Sequence, residues 1–284
     1  MNHLNRRSFC AATAALTAAA STSLAARPKS QMRLGLVTYN WGKSWDIPTL
    51  IQHCEATGFE GVELRSTHQH QVEIGLTAEQ RKSVAKQFAD SKTKLVGLGS
   101  ACEYHAADPA VVKKNIEETK AFVRLCRDVG GHGVKVRPNG LPQGVPEEKT
   151  LVQIGKSLNE VARFGADYGV KIRLEVHGRG TSEIPRIRKI MEVADHPNAV
   201  VCWNCNPTDL IGEGLERHYQ QLQKKIEVIH IHDLRNDKYP WKQFFGLLKA
   251  GQFSGWTLLE EGRVPQDIVA AMHENRKVWE QLTQ

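Results

Sequence analysis

The sequence predicts a single α/β domain, a (β/α)8 TIM barrel. Strand-like and helix-like segments alternate eight times, with only brief connections between them. Each parallel neighbour needs a crossover about as long as a helix, so this alternation implies a parallel sheet, and eight strands suffice to close one. A doubly wound open sheet would instead carry a Gly-rich phosphate-binding turn after its first strand, where this chain has Tyr39-Asn40-Trp41-Gly42.

The elements follow in order. Leu34 to Tyr39 is a short apolar run, the first strand. A helix from about Pro48 carries Leu50, Ile51 and Cys54 on one face. Phe59 to Leu64 is the second strand. Thr77 is an N-cap with Gln80 three residues on, the spacing of a capping box. Lys94 to Gly99 is the third strand. Asp108-Pro109 opens a long helix whose stripe is Val112, Ile116, Phe122, Val123, Cys126 and Val129, closed by Gly130-Gly131. Gly133 to Arg137 is the fourth strand, and Leu151, Ile154, Leu158, Val161 and Ala162 mark the helix after it. Val170 to Val176, Ala199 to Trp203, Ile226 to Ile231 and Trp256 to Leu259 are the remaining strands. Helical stripes at Ile184–Ala194, a polar helix from about Gly212 to Lys224, a short one near Trp241–Leu248 and a last one with Ile268, Met272, Trp279 and Leu282 fill the gaps.

The first residues stand apart. Asn5-Arg6-Arg7-Ser8-Phe9 precedes an Ala-rich run from Ala11 to Ala20, then small residues at Ser23, Ala25 and Ala26. That order predicts a twin-arginine signal peptide over residues 1–26, leaving a barrel domain over 27–284. The expected partner is the twin-arginine export machinery, and the expected destination is the periplasm. No later stretch is long and apolar enough to span a bilayer. The formal charge is +7 in 284 residues, and loss of Arg6 and Arg7 with the signal leaves +5. Basic residues are scattered among acidic ones along the helices, which speaks against a nucleic-acid partner. Of six cysteines, Cys10 lies in the signal. The five others, Cys54, Cys102, Cys126, Cys202 and Cys205, are expected to be buried thiols rather than a disulfide framework.

Function in such barrels collects where the strands end. The first strand ends with Tyr39 and Trp41, the second with Glu63, Arg65, His68 and His70, the third with Glu103 and His105. The fourth ends with Lys135 and Arg137, the fifth with Glu175 and His177, and the sixth with Asn204 and Asn206. The seventh ends with His230, His232 and Asp233, and the eighth with Glu260 and Glu261. So many carboxylates and imidazoles at one mouth repel unless a cation or substrate balances them. Carboxylate with imidazole suits Mn, Zn or Fe ions, and carboxylate-rich sets suit Mg. His68, His70, Glu103, His105, Lys135, Arg137 and the Trp41 ring are the expected substrate contacts. A hydroxyl-rich or anionic ligand fits that set.

Four motifs carry a resemblance. Gly58-Phe59-Glu60-Gly61-Val62-Glu63-Leu64, Leu174-Glu175-Val176-His177-Gly178, His230-Ile231-His232-Asp233, and Phe253-Ser254-Gly255 followed by Glu260 resemble strand signatures of the sugar phosphate isomerase/epimerase family (xylose isomerase-like TIM barrel). The resemblance covers the chain after the signal. It implies one divalent metal ligated by Glu175, Asn204, His230 and Glu260. It also implies proton abstraction next to a carbonyl of a sugar, keto-sugar or related polyol, with Glu175, Glu260 and His177 as catalytic groups. The sequence departs from the family at two places: Asn204 stands where the family has Asp, and Pro207 where a His often follows. Loss of one negative charge implies a weaker metal, a different one, or none.

Other readings stay open. The same site serves a sugar dehydratase or lyase if hydroxide leaves. A metal-free exported sugar-binding barrel is a non-enzymatic reading. An endonuclease IV-type hydrolase would need three zincs and a basic DNA-binding face. Substrate, metal identity and any homo-oligomer are left open.

Overall fold

The computed structural model describes residues 32–284. The predicted export signal and its predicted cleavage site lie outside the described residues. Within them, eight parallel strands pair in sequence order and close into a barrel, β1 against β8. The order is β1 (Arg33–Val37), α1 (Ile47–Thr57), β2 (Gly61–Arg65), α2 (Ala78–Ala89), β3 (Lys94–Glu103) and α3 (Pro109–Asp128). It continues with β4 (Gly133–Arg137), α4 (Glu147–Asp167), β5 (Lys171–Glu175), α5 (Ile184–Val193) and β6 (Ala199–Asn204). The chain ends with α6 (Gly214–Leu222), β7 (Ile226–Ile231), α7 (Trp241–Ala250), β8 (Trp256–Leu259) and α8 (Ile268–Thr283).

Local chemistry sets the helix ends. Asp46 and Asp108 accept backbone N–H bonds ahead of helices that begin with proline near N1, and Thr77 with Gln80 forms the full capping box. Two expectations differ at the edges. β3 runs on to Glu103, four residues past Gly99, through a register shift against β4. β1 stops at Val37, so Tyr39 lies beyond it. In both cases pairing with neighbouring strands, not the local apolar run, decides where the strand stops.

The larger apolar core lies between the sheet and the helices, with Leu36, Leu98, Val136, Leu174, Val201 and Ile229 among its strand residues. A smaller cluster fills the barrel interior: Val37, Val96, Cys202, Val228, Trp256 and Leu258. A charged residue shares this interior. Arg173, 1% exposed, crosses the lumen to pair with Glu227 at 2.5 Å and to approach Glu63 at 3.8 Å. Gly97 and Gly133 leave it that space: a Cβ there would stand 2.5 Å and 2.3 Å from guanidinium atoms. The five described cysteines are buried and free, as expected. Among the described residues, no helix is long and apolar enough to cross a membrane.

Candidate active site

Side chains of a strand repeat their facing every second residue. Stepping two residues from the interior positions Arg173, Cys202, Val228 and Leu258 gives Glu175, Asn204, His230 and Glu260. All four are buried, at one level above the interior cluster. The lower residues make a dry floor, and the upper ones form the polar layer that opens to the mouth.

Within this layer the groups touch. His230 Nδ1 lies 3.5 Å from Glu175 Oε1 and 3.3 Å from Glu260 Oε2, and its Nε2 lies 3.3 Å from Glu63 Oε1. Asn204 Nδ2 donates to Glu175 Oε1 at 3.0 Å and to Glu260 Oε2 at 3.2 Å. The Lys135 ammonium donates to Glu175 Oε2 at 2.5 Å. Burial opposes charge on Glu175, but Lys135 and then His230 outweigh it and hold its carboxyl well below the usual range. Burial likewise opposes charge on His230; Cys202, Glu260 and Glu63 overcome it and raise the imidazole well above its ordinary value. Glu260 is lowered, burial again being offset chiefly by His230.

These residues fit a divalent ion. Glu175, His230 and Glu260 each offer a ligand atom, all within 4.8 Å of one another. His230 Nδ1, on the side of Glu175 and Glu260, and Asn204 Oδ1 are buried with no aligned hydrogen bond, and each can offer a lone pair to a cation once the imidazole gives up its proton. Two carboxylates and an imidazole suit Mn, Zn or Fe, and the free amide oxygen is a neutral fourth donor.

Around this centre the expected contacts separate into three groups. Glu103, His105, Arg137 and His177 share a rim network built on Asn139. Arg137 and Asn139 both donate to Glu103, at 2.7 and 2.5 Å, while His177 Nδ1 lies 3.0 Å from Asn139 Oδ1. His105 stands 3.6 Å from Glu103. His177 is close enough to Glu175 and Glu260 to feel their charge, although burial lowers its pKa. Lys135 is not at the rim but in the buried layer. His68 is half-buried beside Arg65, whose guanidinium lies over the Tyr39 ring and 4.0 Å from Glu260.

Two expected substrate contacts are structural instead. Trp41 is 1% exposed, and its indole N–H donates to the Arg263 carbonyl, so its ring packs in the core and offers no platform. An aromatic just past a strand end was shielded here by the loop after β8. His70 is buried, with Nε2 2.8 Å from the Arg65 carbonyl and Nδ1 accepting the Val72 N–H. Both ring nitrogens are committed to backbone.

His70 makes a testable pH effect. Burial pushes its pKa down from 6.5 to about 4. The folded value lies below the unfolded one, so this contribution is complete above pH 6.5 and is lost as pH falls towards 4. Between about pH 7.5 and pH 5 the term is worth about 2 kcal/mol of stability. Urea titrations at both pH values should show His70→Gln losing less stability on acidification than the parent; equal slopes would remove the assignment.

Two residues escaped the sequence reading. Glu63 received no role, although period two aligns it with the polar layer, and it supplies the carboxylate behind His230. Asn139 drew no notice; its left-handed backbone (φ 60°) and its bridge to Gly178 place it at the centre of the rim network. An Asn in a Pro-Asn-Gly turn is an ordinary turn signal, which masked it.

Fold and site together define a closed parallel barrel whose strand ends hold a candidate metal centre over a packed interior. The chain belongs to the xylose isomerase-like TIM barrel family, whose model matches residues 51–282. None of the curated proteins matches it. Among solved structures it resembles an L-ribulose 3-epimerase at 17% identity and TM-score 0.75, covering 89% of this chain and 94% of the other. A D-psicose 3-epimerase from Clostridium cellulolyticum H10, solved with D-tagatose, is similar at 16% identity and TM-score 0.71, covering 87% and 90%. The IolI protein with a bound zinc atom is similar at 18% identity and TM-score 0.72, covering 89% and 96%. At these identities the likeness is one of fold.

Proposed function

We propose that the protein is a divalent-metal-dependent isomerase or epimerase acting on a sugar, keto-sugar or related polyol. The convergence of Glu175, His230 and Glu260 in one buried layer carries this reading. Family membership supports it, as do the epimerases among the similar structures. Glu175, His230 and Glu260 would hold the ion, with Asn204 Oδ1 as a neutral fourth donor. When bound, the ion polarises a carbonyl and its neighbouring hydroxyl, which makes the adjacent C–H more acidic.

The chain's own groups do the rest. Glu175 and Glu260 flank His230 and are ionised, so each can accept a proton from a substrate carbon placed between them. Glu63 faces the far nitrogen of His230 and fixes the ring. At the rim, His177 on Asn139 and Arg137 on Glu103 offer polar contacts to hydroxyl groups. The dry floor below keeps water from one side of the reaction.

The residues of the predicted export signal extend the proposal to a folded cargo of the twin-arginine machinery that works in the periplasm. The decisive experiment incubates the Mn2+-loaded protein with ketoses and inosose-like polyols in D2O and follows carbon-bound deuterium by NMR. Metal-dependent exchange beside the carbonyl is expected. Absence of exchange with every compound, in protein that holds the ion, would end the isomerase reading.

A further inference from the structure

The polar layer already contains a cation. Lys135 is 1% exposed and its ammonium lies 2.5 Å from Glu175 Oε2. The other oxygen of that carboxylate accepts from Asn204, whose amide also reaches Glu260. The two glutamates that would grip an ion are thus bridged by donors belonging to the chain. Each of the three buried carboxylates also has a basic side chain near it: Glu175 has Lys135 at 2.5 Å, Glu63 has Arg173 at 3.8 Å, and Glu260 has Arg65 at 4.0 Å, while the fourth donor, Asn204, is neutral.

We infer that Lys135 is a resident cation that competes with the divalent ion for Glu175, so that the metal is held weakly and exchanges with solvent. The inference rests on the ligand set of the proposed function. An entering ion must either displace the ammonium from Glu175 or sit a few ångströms from it. Neither course is neutral: the first breaks a buried ion pair, and the second sets like charges side by side among buried groups. Here the ammonium keeps Glu175 ionised and in place between periods of occupancy, and the carboxylate pair remains assembled when the ion departs.

The test reads metal binding, not turnover. Chelator-stripped full-length protein is titrated with MnCl2 by calorimetry, and metal content is measured after dialysis. The parent is expected to lose its ion on dialysis. Lys135→Met removes the competing charge at similar side-chain length, and Asn204→Asp adds a ligand charge. Each is expected to bind Mn2+ at least about tenfold more tightly, since one unit charge this close is worth that much even when well screened. A parent that emerges from dialysis with one firmly held ion per chain overturns the proposal. So does a folded Lys135→Met protein whose affinity is unchanged or weaker. If Lys135→Met fails to fold, the dialysis result and Asn204→Asp decide, and an Asn204→Asp protein that binds no more tightly overturns it. Glu260→Gln separates this from the underlying reading: Mn2+ affinity undiminished by loss of the Glu260 charge removes the ligand set itself, whereas unaltered affinity in Lys135→Met removes only the role of Lys135.

Discussion

Glu260→Gln is expected to abolish turnover while leaving the barrel intact. The amide keeps the volume of the carboxyl and can still accept from Asn204, so packing in the polar layer changes little. What disappears is the negative charge beside His230 at 3.3 Å, a ligand charge, and a proton acceptor at once. Loss of a general base alone costs about two to four powers of ten in rate, and weakened ion binding adds to it. Circular dichroism and a melting curve close to those of the parent, together with exchange in D2O falling below detection, are the expected pair of results. Full activity in the variant would remove Glu260 from the chemistry.

The largest stability effect is expected at Arg173, not at the site. Its guanidinium fills the space opposite Gly97 and Gly133, donates to the Glu227 carboxylate and to the Val96 carbonyl, and lies beside Glu63. Arg173→Met takes one cation from beside the buried Glu63, which keeps His230 at 3.3 Å, leaves Glu227 without its partner, and strips the Val96 carbonyl of its donor. Removing one member of a buried charge network costs about 3–5 kcal/mol. Urea unfolding should therefore move to a markedly lower midpoint. Glu227→Gln, at the partly exposed end of the same pair, serves as the milder comparison. A loss under about 1 kcal/mol for Arg173→Met would show that the guanidinium is not needed to balance the buried carboxylates around it.

Much of this was legible in the sequence because two periodicities are written plainly in it. The helical stripes and the eight apolar runs give a parallel closed sheet, and the closed barrel follows. The family motifs pointed to Glu175, Asn204, His230 and Glu260, and the structure brings those four into one layer. What the sequence could not convey is depth. Lys135 and Arg137 share a strand face and were read alike as substrate contacts; in the structure one is sealed against Glu175 and the other reaches Glu103 at the edge. Two residues along a strand amount to about 7 Å of rise, enough to separate floor from rim. Trp41 and His70 were misplaced for a related reason: both lie on loops, and whether a loop residue faces inward depends on contacts with Arg263, Arg65 and Val72 that no local pattern encodes. Arg173 was overlooked because a single arginine in an apolar strand carries no motif; its meaning lies in glycines on two other strands.

The stopper formed by Arg173, Trp256 and their apolar neighbours has a kinetic corollary. With the lower end sealed, reactant and product must use the same doorway, and the two cannot pass one another inside. A lingering product molecule therefore bars the next arrival, and the rim side chains that greet one species also delay the departure of the other.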